Sequence, residues 1–96
     1  MATAPTLTEK CRQALRVVTT AYDGEINFYI DSAKLDLAVA GVVVGDNPDA
    51  LVEKAIMTYA RMNFGAPANY DELEKSYKEQ KATLMNATGY TDWGDD

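Results

Sequence analysis

No histidine occurs among the 96 residues, which removes the commonest general base and the commonest transition-metal ligand. Cysteine is nearly absent too. Cys11 stands alone, so no intrachain disulfide can form and the fold must rest on packing, as suits a reducing compartment. Basic residues are scarce, nine against fifteen acids, for a net charge of −6. That balance argues against a protein that grips nucleic acid or anionic lipid, since binding phosphate needs clustered Lys and Arg. It leaves room for a protein that lets DNA pass, because an acidic wall repels a duplex. Long apolar runs are missing: the longest, Leu37 to Val44, is far shorter than a membrane span. The N-terminal residues Met1 to Pro5 lack the basic and apolar regions of a signal peptide, which predicts a cytoplasmic protein.

The motifs of catalysis are also missing. Gly41 and Gly45 do not fit a dinucleotide fingerprint, and no strand–helix unit surrounds them. The run Asp92 to Asp96 lacks the alternating ligands and final Glu of a calcium loop. Asp71 and Glu72 are adjacent on a helix, point apart, and read as a solvated helix start. Cys11 lies on an apolar stripe, where a small buried hydrophobe belongs. No catalytic, cofactor or metal site is expected, and the protein is read as a non-enzyme.

What is present is helical periodicity. With 47 % hydrophobic residues the chain can bury a core. The pattern predicts an all-α fold, a small bundle of about four helices. An extended loop follows helix two and a flexible acidic tail follows helix four. Residues 1–88 are read as the helical domain and 89–96 as the tail.

The first helix spans about Leu7 to Val17, capped by Thr6 with Glu9 at the capping-box spacing. Leu7, Cys11, Ala14, Leu15 and Val18 share its inner face. The second, about Ala21 to Ala40, starts from Thr20 or Asp23, carries the stripe Ile26, Tyr29, Ile30, Ala33, Leu37, Ala40, and stops at Gly41. The third spans about Pro48 to Phe64, with Asn47 or Asp46 as cap and Leu51, Val52, Ala55, Ile56, Tyr59 and Met62 or Asn63 inward. Gly65 and Pro67 end it. The fourth, about Tyr70 to Met85 from an Asn69 cap, has a thin stripe of Tyr70, Leu73, Tyr77 and Leu84, interrupted by Gln80. A helix this polar is expected at the periphery, packing by one narrow seam. Leu15, Ile26, Ile30, Leu37, Leu51, Val52 and Ile56 are the expected core.

Two segments are left without an intrachain partner. Val42, Val43 and Val44 are β-branched, too few to make a sheet, and are expected to be exposed and to touch a neighbouring subunit. Tyr90 and Trp93 stand in an acidic tail that has no core to join, and are expected to anchor on a partner. The six tyrosines invite a base-stacking reading, but stacking platforms come with basic grooves, and packing explains them better.

The order of pieces resembles a known family. Arg12-Gln13-Ala14-Leu15-Arg16-Val17 is followed by a turn ending in Asp23-Gly24-Glu25-Ile26. Then come Ile30-Asp31-Ser32-Ala33-Lys34-Leu35-Asp36-Leu37 and Ala40-Gly41-Val42. Together they resemble the front half of the head–tail connector proteins of tailed phages. Val52 to Gly65 is similar to that family's third helix, and Lys75-Ser76-Tyr77-Lys78 through Leu84 to its closing helix. The resemblance covers roughly Thr6 to Met85. It implies a head-completion protein that acts after genome packaging, as one subunit of a homo-oligomeric, dodecameric ring. It implies contacts with the portal protein and with the next tail or stopper component. Double-stranded DNA would pass through without specific binding, and no membrane is involved. It also implies assembly in the bacterial cytoplasm and residence in the virion neck. The competing reading is a small helical regulator that binds one partner as a monomer or dimer. Rings in electron micrographs would separate the two.

Overall fold

The computed structural model describes residues 6–45 and 49–86. Four helices account for most of it: α1 (Leu7–Ala14), α2 (Asp23–Val39), α3 (Ala50–Asn63) and α4 (Tyr70–Met85). No strand occurs among the described residues. α3 is the hub, packed by α2, α4 and α1, while α1 also lies on α2.

The helix ends show why these segments fold where they do. α1 starts in a complete capping box: Glu9 N–H donates to Thr6 Oγ1 at 3.1 Å, and Thr6 N–H donates to Glu9 Oε1 at 2.7 Å. It ends earlier than the periodicity suggests. Val17 N–H donates to the Arg12 carbonyl and Arg16 N–H to the Gln13 carbonyl, with Arg16 in the left-handed region at φ 59°. This is a Schellman closure with arginine at the position glycine usually fills. The chain therefore turns away before Val18, which is fully exposed and does not join the inner face.

α2 begins after Tyr22, with no side-chain cap, so neither Thr20 nor Asp23 serves as one. It ends in a second Schellman closure. Val42 N–H donates to the Leu37 carbonyl at 2.9 Å, Gly41 N–H to the Ala38 carbonyl at 3.0 Å, and Gly41 has φ 94°. α3 is capped by Asp49, whose carboxylate accepts from Leu51 N–H and Val52 N–H. The helix starts later than expected, and Asp46, Asn47 and Pro48 lie outside the described residues. Asn69 precedes α4 without a side-chain cap bond.

The core is continuous. Cys11, Ile26, Leu37 and Ile56 are its largest fully enclosed side chains, joined by Ile30, Ala33, Val52, Ala55, Ala60 and others. Leu15 packs half-buried against it. Leu51 does not belong to it: this side chain is 52 % exposed, because Asp49 sets the first turn of α3 so that Val52 and Ala55 face inward and Leu51 faces away. Thr58 and Ala60 are buried as well, since a helix packed by three others has little free face. The Thr58 hydroxyl is satisfied by donating to the Lys54 carbonyl at 2.9 Å.

Polar ties join the helices pairwise. Arg12 and Asp23 form a two-pronged pair at 3.0 and 2.9 Å between α1 and the start of α2. Lys10 reaches Glu53 at 2.8 Å, tying α1 to α3. The Thr8 hydroxyl donates to Asn27 Oδ1, a second link from α1 to α2. α4 is held to α2 through Asp36, which accepts from Tyr77 Oη at 2.6 Å and Lys81 Nζ at 3.1 Å. Lys81 Nζ also stands 5.4 Å from the Tyr77 ring centroid, and Tyr59 meets that ring edge-on at 5.3 Å. As expected, α4 is peripheral and uses a narrow seam of Leu73, Tyr77 and Leu84; Tyr70 remains largely outside it.

Candidate functional site

The features that look outward are hydrophobic surfaces, not reactive groups. Cys11 is enclosed, and burial with the nearby Glu53 charge pushes its thiol up to about 11, so it stays a protonated, unreactive side chain near neutrality. No group of three or more potential metal-ligating residues gathers among the described residues. Asp36 feels opposing influences. Partial burial raises its pKa, but the hydrogen bonds from Tyr77 and Lys81 outweigh that and hold it below the usual carboxylate range. Tyr77 is pushed far up, first by burial and then by its bond to that carboxylate. This cluster braces two helices.

The outer face of α2 is different. Residues four and seven apart share a helical face, and Phe28, Ser32, Leu35 and Val39 form such a line. Phe28 is 66 %, Leu35 67 % and Val39 87 % exposed. They sit opposite the inward stripe of Ile26, Ile30, Ala33 and Leu37, so α2 is apolar on both sides. The exposure of the outer line shows that no described element covers this second side of α2. Glu25 and Asp31 flank the line. An apolar line with charged borders is the usual look of a protein contact surface.

The segment after α2 is only partly as expected. Val42 is not exposed: at 2 % it is a core residue, because the Schellman closure folds it back onto Leu37. Val44 is half-buried against the core. Only Val43, 53 % exposed, stands free to meet a partner. Tyr90 and Trp93 lie outside the described residues. α2 carries two apolar lines, and the outer one has its own sequence signal in Phe28, Leu35 and Val39 at helical spacing, which a single-stripe pattern does not include.

An open groove runs along the seam of α3 and α4. One part, with a cavity volume of about 320 Å³, is bordered by Ala14, Met57, Arg61 and Leu73 among others. The second, about 160 Å³, is bordered by Leu51, Thr83 and Leu84. Lys54 and Gln80 line both.

The described residues present two outward apolar features, the outer line of α2 and the α3–α4 groove, and such surfaces commonly mark contacts with partners. Comparison with known families agrees. The family described as "Phage connector protein" matches residues 9–91, well over half of the chain, and the chain belongs to that family. The matched stretch runs past Met85, where the resemblance read from the residues stopped, through Tyr90, and ends before Trp93. No curated protein and no solved structure matches the chain. Membership makes this a phage connector protein, which is a structural class. No helix among the described residues is long and apolar enough to cross a membrane.

Proposed function

We propose that copies of this chain assemble into a ring at the neck of a tailed phage, beneath the portal. The ring continues the DNA channel and serves as the platform for the next tail component. Assembly takes place in the host cytoplasm after packaging, and the ring then stays in the virion. Family membership supports the site of action. The observation that carries the assembly reading is the line of Phe28, Leu35 and Val39 on the uncovered side of α2. Burying each such side chain is worth about 1.5–3 kcal/mol. Three of them supply about 4.5–9 kcal/mol at full burial, against a cost of association of about 4–15 kcal/mol. One α2 contact is therefore marginal on its own, and further surface would strengthen it. Val43, beside the end of α2, is the natural extension of this contact. The net charge of −6 suits a channel that DNA must leave without sticking.

Electron microscopy of the purified protein, alone and mixed with its portal, tests the proposal. Rings, or decoration of the portal by a ring, are expected. Leu35→Ser with Val39→Ser should lower assembly at unchanged helix content. A particle that stays monomeric or dimeric in both samples would replace the ring with the regulator reading.

A further inference from the structure

We propose that the groove between α3 and α4 is the receptor for residues 87–96 of a neighbouring copy. That the segment comes from a neighbour rests on the ring proposed above; the fit between segment and groove stands on its own observations.

The first observation is charge. Glu53 on the groove wall is neutralised by Lys10 at 2.8 Å. Lys54 and Arg61 also border the groove, and among the described residues neither joins an ion pair. In a chain of net charge −6 they leave the groove locally positive. Residues 87–96 hold Asp92, Asp95 and Asp96 and no Lys or Arg.

The second observation is spacing. Lys54 and Arg61 are seven residues apart on one helix, so they stand about 10 Å apart along its axis. Asp92 and Asp95, three residues apart in the sequence, would also span about 10 Å when bound in extended form. Trp93 falls between them.

The third observation is an unmet acceptor. Gln80 Oε1 is enclosed with no hydrogen-bond partner, while its amide nitrogen is engaged by Ser76 Oγ at 3.2 Å. Gln80 borders both parts of the groove. A buried acceptor without a donor is costly and uncommon. An indole N–H or a backbone N–H from an entering segment would satisfy it. The apolar walls suit an aromatic: Leu73 and Met57 line one part, and Leu84 and the exposed Leu51 the other. Leu51 thus acquires a reason to face outward.

The fourth observation is reach. α4 ends at Met85, close to Leu84 at the groove's edge. Ten residues extend at most about 33 Å, enough to leave their own subunit and lie along the next. Such a contact is head-to-tail, each copy offering one groove and one segment. Repetition of a head-to-tail contact closes a ring when the rotation between copies divides a full turn.

Trp93 is the only tryptophan, so its emission reports docking directly. On raising the full-length protein concentration through the assembly range, the emission should shift to the blue as oligomers form. Two full-length variants separate the partners. Tyr90→Ala/Trp93→Ala lacks the anchors but keeps the groove. Lys54→Glu/Arg61→Glu keeps the anchors but has a groove of reversed charge. Each should stay folded by circular dichroism and need at least about tenfold more protein to assemble. Mixed in equal amounts, at a concentration where neither assembles, they should form heterodimers and nothing larger, because only one groove and one segment remain functional. Native mass spectrometry reads this directly. Absence of heterodimers, or unchanged assembly of either variant, overturns the proposal. If the unaltered chain never assembles, the ring reading fails, and a labelled peptide of residues 87–96 decides the groove. Binding to the Tyr90→Ala/Trp93→Ala protein that is lost on adding Lys54→Glu/Arg61→Glu upholds the groove as receptor. No binding overturns it.

Discussion

Replacing Tyr77 by Phe isolates one oxygen atom that ties α4 to α2. The ring is 3 % exposed and stays in place, so no cavity opens. What is lost is the 2.6 Å bond to the Asp36 carboxylate. Hydrogen bonds to charged groups contribute about 1.5–3 kcal/mol. Asp36 is 38 % exposed in its side chain and keeps Lys81 at 3.1 Å, so water and the ammonium compensate part of the loss. The expected cost is therefore at the low end, about 1.5 kcal/mol. In a chain of this size, that lowers Tm by roughly 6–12 °C. The second background is the sharper test. Asp36→Ala leaves the Tyr77 hydroxyl buried without an acceptor, which costs about 1–3 kcal/mol. Adding Tyr77→Phe to Asp36→Ala then removes an orphaned donor and should be neutral or stabilising. Urea unfolding of all four proteins, followed by circular dichroism, gives the cycle. If Tyr77→Phe costs the same with and without Asp36, the bond does not carry the coupling and the reasoning is wrong.

The same pair contributes at both pH extremes. Asp36 is depressed in the fold, so its contribution is present above the unfolded carboxylate value of about 3.9 and fades as pH falls through the lower folded value. Tyr77 is raised, so its contribution is complete below about 10 and is lost as pH climbs past it. Urea midpoints should thus be flat near neutrality and fall at both ends, and Tyr77→Phe should blunt the alkaline fall. Arg16→Gly should be neutral or stabilise by up to about 1 kcal/mol in thermal unfolding, since the left-handed conformation at φ 59° costs a non-glycine residue about 1–2 kcal/mol, partly offset by unfolded-chain entropy. A clear loss there would mean that the Arg16 side chain contributes more than its strain. Ile30→Ala, in the core at 4 % exposure, should cost about 2–5 kcal/mol in chemical denaturation, and a change under half a kcal/mol would remove it from the core. In a gel-shift assay at physiological salt, no duplex binding is expected from a chain of net charge −6, and tight, salt-sensitive retention would contradict the channel reading.

The sequence by itself determined the helices and most of what they bury. Thr6 with Glu9, Gly41 and Gly65 mark helix ends through local bonds and backbone freedom, which need no distant partner. Ile26, Ile30, Ala33 and Leu37 share a face because the helical repeat places them there. The family resemblance was also legible, since it lies in the order of such local pieces, and the chain's membership follows the same stretch. Other features depended on packing between segments far apart in sequence. Leu51 faces out because α3 is capped by Asp49, two or three residues later than Asn47 or Asp46, which leaves Leu51 in the first turn at the edge of the stripe that Val52, Ala55 and Ile56 hold inward. Val42 looked free because its partners are the turn that folds it back and a core assembled by α2 and α3. Arg16 ended α1 without the glycine that would have announced it. Asp36, which nothing in the helical periodicity singles out, is the acceptor for Tyr77 and Lys81, 41 and 45 residues away. Periodicity shows which residues share a face, but which face a neighbour covers is settled by tertiary packing. That is why Phe28, Leu35 and Val39 emerged as a surface only once α3 was seen to cover the other side of α2.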